Sequence, residues 1–199
     1  FSMVNEGLRK RDKNGLSGCL NFYDLKIKNL HLLIDGAVCE DAVNFVRSKG
    51  NISYIKISNS LFDAIDLDFS KIILNEVVIE DAGNDCIDLS FGDYNINTAN
   101  LKKCGDKAIS VGEDSNVIAK NIYINKSKYG IASKDYSVLK VLKGEIIETE
   151  ICMAAYSKKQ EFSGSVILAG SVKCKETEQL YYEEEGSKIR LNINLWHLE

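Results

Sequence analysis

The chain has 199 residues, with 25 Lys and Arg against 29 Asp and Glu and a formal net charge of −4. That balance leaves no basic footprint for nucleic acid, and 45% hydrophobic with 27% charged residues excludes a disordered chain. No apolar run approaches the ~20 residues of a membrane span, so no direct membrane insertion is expected, and no signal-peptide pattern is found.

In chain order, Phe1-Ser2-Met3 reads as a vector remnant and residues 1–14 as a polar cap or linker. Residues 15–23 predict a first coil whose apolar Leu20 and Phe22 are shifted by one against the later coils. From Asp41 the chain falls on a ruler. Asp41-Ala42-Val43-Asn44-Phe45 is matched 22 residues later by Asp63-Ala64-Ile65-Asp66-Leu67, and again by Asp85-Cys86-Ile87-Asp88-Leu89. Lys107-Ala108-Ile109-Ser110-Val111, Tyr129-Gly130-Ile131-Ala132-Ser133 and Ile151-Cys152-Met153-Ala154-Ala155 continue at the same spacing. Val43, Ile65, Ile87, Ile109, Ile131 and Met153 form one aliphatic column, and Phe45, Leu67, Leu89 and Val111 a second. Period-2 alternation puts both on one strand face and predicts that Asn44, Asp66, Asp88 and Ser110 between them face solvent.

Further β-rich stretches lie at 52–57, 72–79 and 117–124, broken by Asn, Gly and Ser. A repeat this short leaves no room for a helix, so in-register strands stack into an all-β, right-handed parallel β-helix, a solenoid with ~22-residue coils. Residues 165–172 and 188–195 predict final strands, with residues 181–186 a charged turn between them. The single β-helix domain spans 15–197, and Leu198-Glu199 reads as a tag scar. Six cysteines show neither a CxxC pair nor a His partner, and are read as buried small hydrophobes. Cys152 and Cys174 would be adjacent if the ruler held to the end, which leaves room for one bridge.

The polar residues on or beside the repeated strand are the ones core packing does not demand. They run from Asp63, Asp66 and Asp68 through Asn84, Asp85 and Asp88 to Asp106, Lys107 and Glu113. Lys134, Asp135, Lys158, Lys159 and Glu161 continue the line. Stacked carboxylates repel unless they share a proton, a cation or a basic neighbour. Three readings compete: a solvated charged face with turn-capping Asp and Asn, a polymer groove, and general acid/base catalysis by a carboxylate pair. For the groove, the ligand-binding candidates are Asp66, Asp88, Glu113, Lys134, Asp135, Lys158, Lys159 and Glu161. No metal-ligand set is recognised and no cofactor is expected; calcium enters only because hard oxygen ligands are plentiful, without a dedicated loop.

Asp63-Ala64-Ile65-Asp66, Asn84-Asp85-Cys86-Ile87-Asp88 and Lys107-Ala108-Ile109-Ser110-Val111-Gly112 resemble successive coils of the polygalacturonase family. That likeness implies catalytic roles for Asp63 and Asp85, places Lys107 where the family has histidine, and matches Lys134 to a family lysine. Asn84 stands for one paired carboxylate and Ala132 for an arginine, so the full catalytic set is not reproduced. A longer likeness, from Gly18 to about Gly164, is carried by Gly18-Cys19-Leu20-Asn21-Phe22-Tyr23, Gly105-Asp106-Lys107-Ala108-Ile109-Ser110-Val111-Gly112-Glu113 and Ala154-Ala155-Tyr156-Ser157-Lys158-Lys159. These resemble the β-helix domain at the C-terminal end of large bacterial CotH-type proteins. The resemblance implies a multidomain parent at the cell surface or otherwise extracytoplasmic, and no particular reaction.

His31 and His197 are isolated, and Trp196 reads as packing on a cap. Tyr123, Tyr129, Tyr136 and Tyr156 fall at neighbouring coil edges, as packing residues or as a sugar-stacking strip. The leading expectation is a polysaccharide-interacting domain without independent catalysis. Its expected partners are a glycan, anionic ones included, and the other domains of its parent chain. The alternatives are a polysaccharide hydrolase, lyase or epimerase using Asp63, Asp85 and Lys107, and a purely structural stalk.

Overall fold

Twelve strands and no helix make up residues 15–195, the part of the chain that the computed structural model describes. Every strand pairing among them is parallel, and they form a β-solenoid of about eight coils. The expected cap at 1–14, Trp196, His197 and the terminal dipeptide lie outside the described residues.

One face is built from β1 (Gly18–Tyr23), β3 (Asp41–Val46), β5 (Asp63–Asp68) and β7 (Ile87–Ser90). It continues through the second halves of β8 (Asp93–Gly112), β9 (Asn116–Lys134), β10 (Val138–Tyr156) and β11 (Val166–Glu183). The other face stacks β2 (Lys26–Ala37), β4 (Lys49–Ser60) and β6 (Lys71–Ala82) on the first halves of the same long strands, and ends with β12 (Lys188–Arg190). The predicted column is the observed one: Val43, Ile65, Ile87, Ile109, Ile131 and Met153 pair in series and are all buried. The shifted first coil is also as expected, with Leu20 opposite Val43 and Phe22 opposite Phe45.

Beyond β4 the ruler breaks in two places. Asp93 pairs with Asn116, one residue beyond the 22-residue step, and a bulge between Cys104 and Lys107 restores the register. Val138 pairs with Val166, a step of 28, because residues 157–165 form a longer loop than the turns before it. After that loop the predicted ends are corrected. Tyr181, Tyr182 and Glu183 belong to β11 rather than to a turn, and only Lys188–Arg190 of the last expected strand is extended.

One corner is held by a ladder of serines, each backbone N–H donating to the hydroxyl one coil on: Ser48 to Ser70 at 2.9 Å, Ser115 to Ser137 at 3.1 Å and Ser165 to Ser187 at 3.0 Å. Where this ladder meets Gly92, Tyr94 supplies the missing hydroxyl and accepts the Ser70 N–H at 3.3 Å. A Cβ on Gly92 would lie 2.4 Å from that hydroxyl, so the glycine makes the substitution possible.

The cysteines correct the expectation of unpaired small hydrophobes. They form three disulfides, Cys19–Cys39, Cys86–Cys104 and Cys152–Cys174, and none is free among the described residues. Column logic misses two of them because they join different columns across a corner, 20 and 18 residues apart. The third does form, although Cys174 pairs in the sheet with Ile146 and not in the Cys152 column. Each closes a loop worth about 2–4 kcal/mol of stability. Alkylation of the native protein should therefore label no thiol, and reduction should lower the denaturation midpoint. Labelling of all six without reductant would show the cysteines to be unpaired.

Candidate functional site

The predicted catalytic residues stand at the start of the first face, one above another. Asp63 Oδ1 accepts hydrogen bonds from the Asp85 backbone N–H at 2.8 Å and from Asn84 Nδ2 at 2.6 Å. Asp85 Oδ1 accepts the Lys107 backbone N–H at 2.8 Å and lies 3.4 Å from Lys107 Nζ, which also pairs with Asp106. Each carboxylate thus caps the backbone of the next coil, which gives Asp63, Asp85 and Lys107 a structural task. Burial, then repulsion from Asp85, pushes the Asp63 carboxyl up to about 7. For Lys107 burial works against the charge, but Asp85 and Asp106 outweigh it and its pKa rises.

Next to this ladder the outward polar column forms the floor of a groove. Asn44 and Ser110 are buried, at 1% and 0% exposure, which corrects the expectation that the whole column faces solvent. Asn44 Nδ2 donates to Asp66 Oδ2 at 2.7 Å and to Asp68 Oδ2 at 3.3 Å, tying three side chains into one cluster. Burial raises the Asp66 carboxyl well above its ordinary value, and Asp68, Asp41 and Asp88 add to the rise. Asp68 is raised by burial against its bond from Asn44, and Asp41, also buried, is pushed up to about 6.

Further along, the charges are matched. Lys134 Nζ lies 3.9 Å from Asp88, and Lys159 Nζ lies 2.6 Å from Glu113, which also accepts the Ser90 hydroxyl. These bonds hold the Glu113 carboxyl below its ordinary range despite burial. Lys159 comes from the 157–165 loop, whose start is pinned by buried Asp135. One oxygen of that residue accepts the backbone N–H groups of Lys158 and Lys159 at 2.7 and 2.9 Å.

The same loop completes an aromatic wall. Phe69 and Phe91 stack with ring centres 4.7 Å apart, Phe162 meets Phe91 at 6.3 Å, and Tyr136 meets Phe162 at 5.7 Å. Phe69, Phe91 and Tyr136 are exposed. Both phenylalanines have φ near +50°, where a bulky side chain is strained by roughly 1–3 kcal/mol. Between wall and floor lies a cleft of about 260 Å³, lined by Asp66, Asp68, Asp88, Glu113, Phe91 and Lys159 among others. A larger hollow of about 710 Å³ near Leu142, Gly170 and Ile193 has no carboxylate on its walls.

Of the predicted ligand set, Asp66, Asp88, Glu113, Lys134 and Lys159 therefore converge. Asp135 faces away to anchor the loop, and Lys158 and Glu161 sit on that loop outside the cleft. Asp41, Asn44, Asp68 and the phenylalanines complete the site without having been among the ligand candidates. Phe69 and Phe91 are 22 apart, so the same ruler contained the signal. Of the two readings of the tyrosines, packing fits better than a strip: Tyr129 lies under Lys107 and Lys128, Tyr156 packs on Tyr182, and Tyr136 joins the wall. No family model, curated protein or solved structure matches this chain at a significant level, so neither family likeness gains support from comparison.

Proposed function

We propose that this β-solenoid binds a polysaccharide along the groove of its first face, as a non-catalytic domain of a larger extracytoplasmic protein. The observation that carries this reading is the aromatic wall of Phe69, Phe91, Phe162 and Tyr136 running beside the carboxylate floor. Sugar rings present apolar C–H faces that stack on aromatic rings, and hydroxyls that donate to carboxylates. Phe69 and Phe91 stand at a corner whose positive φ recurs at Arg47 and Glu113, and their exposed rings add little to the core and are open to a ligand. Three disulfides support an oxidising compartment, and the CotH-type likeness supports a bacterial surface protein with further domains.

A glycan array tests the reading, with Phe91→Gly as the diagnostic variant. Glycine suits a positive φ, so this variant should fold with stability within about 1 kcal/mol of the parent. Its affinity for the bound glycan should fall about three- to tenfold, the worth of one stacked ring. Unchanged affinity would remove the wall from the binding site, and a chain that binds no glycan would be better read as a stalk.

A second reading has its own observation: Asn44 bridges Asp66 and Asp68, and burial raises the Asp66 carboxyl well above its ordinary value, an arrangement of the kind that supplies a general acid. Release of reducing ends or unsaturated products, abolished by Asp66→Asn, would establish that reading over the non-catalytic one.

A further inference from the structure

We propose that the second face carries a lysine ladder, separate from the groove of the first, that takes a linear polysaccharide bearing an acidic group on every sugar unit. The chain has a net charge of −4, yet one hollow on this face is basic. It measures about 680 Å³ and has Lys26, Lys28, Lys49 and Lys71 on its walls against a single carboxylate, Asp93. That size falls within the ~300–1,000 Å³ of ligand pockets. Lys26 pairs in register with Lys49, and Lys49 with Lys71, so the three stand one above another at the starts of β2, β4 and β6. All four lysines are exposed. Lys71 lies 3.6 Å from Asp93, its partner in the next coil. Lys26, Lys28 and Lys49 form no ion pair with a carboxylate among the described residues. Unmatched like charges one coil apart, about 4.8 Å, repel, and a row of anions at the same step relieves all of them together.

The backbone shapes this hollow. The register slips between Ile27 and Leu30, where β2 holds one residue more than β4, and Asn29 takes a φ of 53°. Opposite, Gly50 has a φ of +131°, and a Cβ there would run into the Ile27 carbonyl oxygen. A bulge bends its strand and re-aims its side chains, and Lys28 stands inside this one, on the wall of the hollow with the other lysines. Ile73, also on the wall, is 39% exposed and offers an apolar patch beside the charges. An acidic sugar unit matches that pairing, with a C–H face for the patch and a charge at its edge. An extended polysaccharide advances by nearly one coil spacing per sugar, so one acid per unit meets one lysine per coil. Duplex DNA instead presents a phosphate every ~3.4 Å along each strand, out of step with the ladder.

The test compares oligosaccharides of equal length by calorimetry at neutral pH and low salt. They are an oligomannuronate with a carboxylate on every sugar, a hyaluronan fragment with one on alternate sugars, and a neutral cello-oligosaccharide. A DNA duplex and phosphatidylserine vesicles complete the set. The oligomannuronate should bind at least about threefold tighter than the hyaluronan fragment, and its affinity should fall with salt. The double variant Lys26→Gln/Lys49→Gln changes only exposed side chains and should fold as the parent does, while binding the oligomannuronate about tenfold more weakly. Lys102→Gln/Lys126→Gln removes the same charge outside the hollow and should leave the affinity within about twofold. Phe91→Gly, on the first face, should leave it unchanged.

Equal or tighter binding of the hyaluronan fragment or the neutral ligand overturns the match of one acid to one coil. Tighter binding of the duplex or the vesicles assigns the ladder to that surface instead, and the inference falls. Equal losses in the two lysine double variants mean that only net charge is read, which also overturns the ladder. If Phe91→Gly abolishes oligomannuronate binding and Lys26→Gln/Lys49→Gln retains it, the acidic ligand sits in the first-face groove and only that reading survives. If the oligomannuronate does not bind at all, the ladder is refuted, and the groove reading still stands or falls on Phe91→Gly with its own ligand.

Discussion

The protein is expected to be most stable near about pH 4.5 and to lose on the order of 3–5 kcal/mol by about pH 8, the reverse of ordinary acid denaturation. Folded Asp41 and Asp63 keep their protons up to about 6 and about 7, against 3.8 for a free side chain, because burial and neighbouring carboxylates oppose ionisation. Asp66, Asp68 and Asp85 are shifted the same way. In this range the folded state holds more protons than the unfolded state, so raising the pH favours unfolding. Glu113 has the opposite shift, but its contribution is lost only as the pH falls below its ordinary range. Lys107, whose pKa is raised, stays charged throughout and keeps its contribution.

Asp68→Asn should therefore raise the stability measured by urea unfolding at about pH 8 by roughly 1–2 kcal/mol and leave the value at about pH 4.5 almost unchanged. It removes one charge from the cluster and keeps a group able to bond to Asn44 and Asp66. A parent midpoint that climbs steadily from about pH 5 to pH 8 would refute the description of the cluster as uncompensated. On the proposed groove reading, the same substitution should strengthen the fold and weaken the site.

The solenoid is legible in the chain because its cause is periodic. Every coil needs the same inward residue at the same step, and Val43 through Met153 spell that out. The site is only partly legible, because its determinants break the period or look ordinary within it. Asp63 and Asp85 share the ruler with the core and carry a catalytic resemblance, yet one oxygen of each is taken by a backbone N–H group of the next coil. Alternation marks Asn44 and Ser110 as outward, and outward they are. It does not reveal that the outer face is walled into a groove, since the wall comes from corner residues Phe69 and Phe91 and from the 157–165 loop. That loop is where the step changes from 22 to 28, so Lys159 and Phe162 reach Glu113 and Phe91 through an insertion the ruler does not foresee. Cysteine pairing across corners fails for a related reason: a column test compares like positions, and these bridges join unlike ones.

Ile87→Asp should unfold the middle of the solenoid and with it the groove. Ile87 is fully buried, with Ile65 below it and Ile109 above it in the stack. A carboxylate there has aliphatic neighbours on both sides and no partner, a change that costs more than about 4 kcal/mol. Coils share their stability through nearest-neighbour interfaces, so the loss is not confined to β7. Hydrogen exchange should show protection collapsing together in β5, β7 and the second half of β8, while Ile87→Val, which removes one methyl group, should cost only about 0.5–1.5 kcal/mol. Because Asp66 and Asp88 alternate with Ile65 and Ile87 on the same two strands, the glycan binding proposed for the groove should disappear with the exchange protection. If Ile87→Asp melts like the parent, the aliphatic column does not face the core, and the floor assigned to the opposite side of those strands is lost with it.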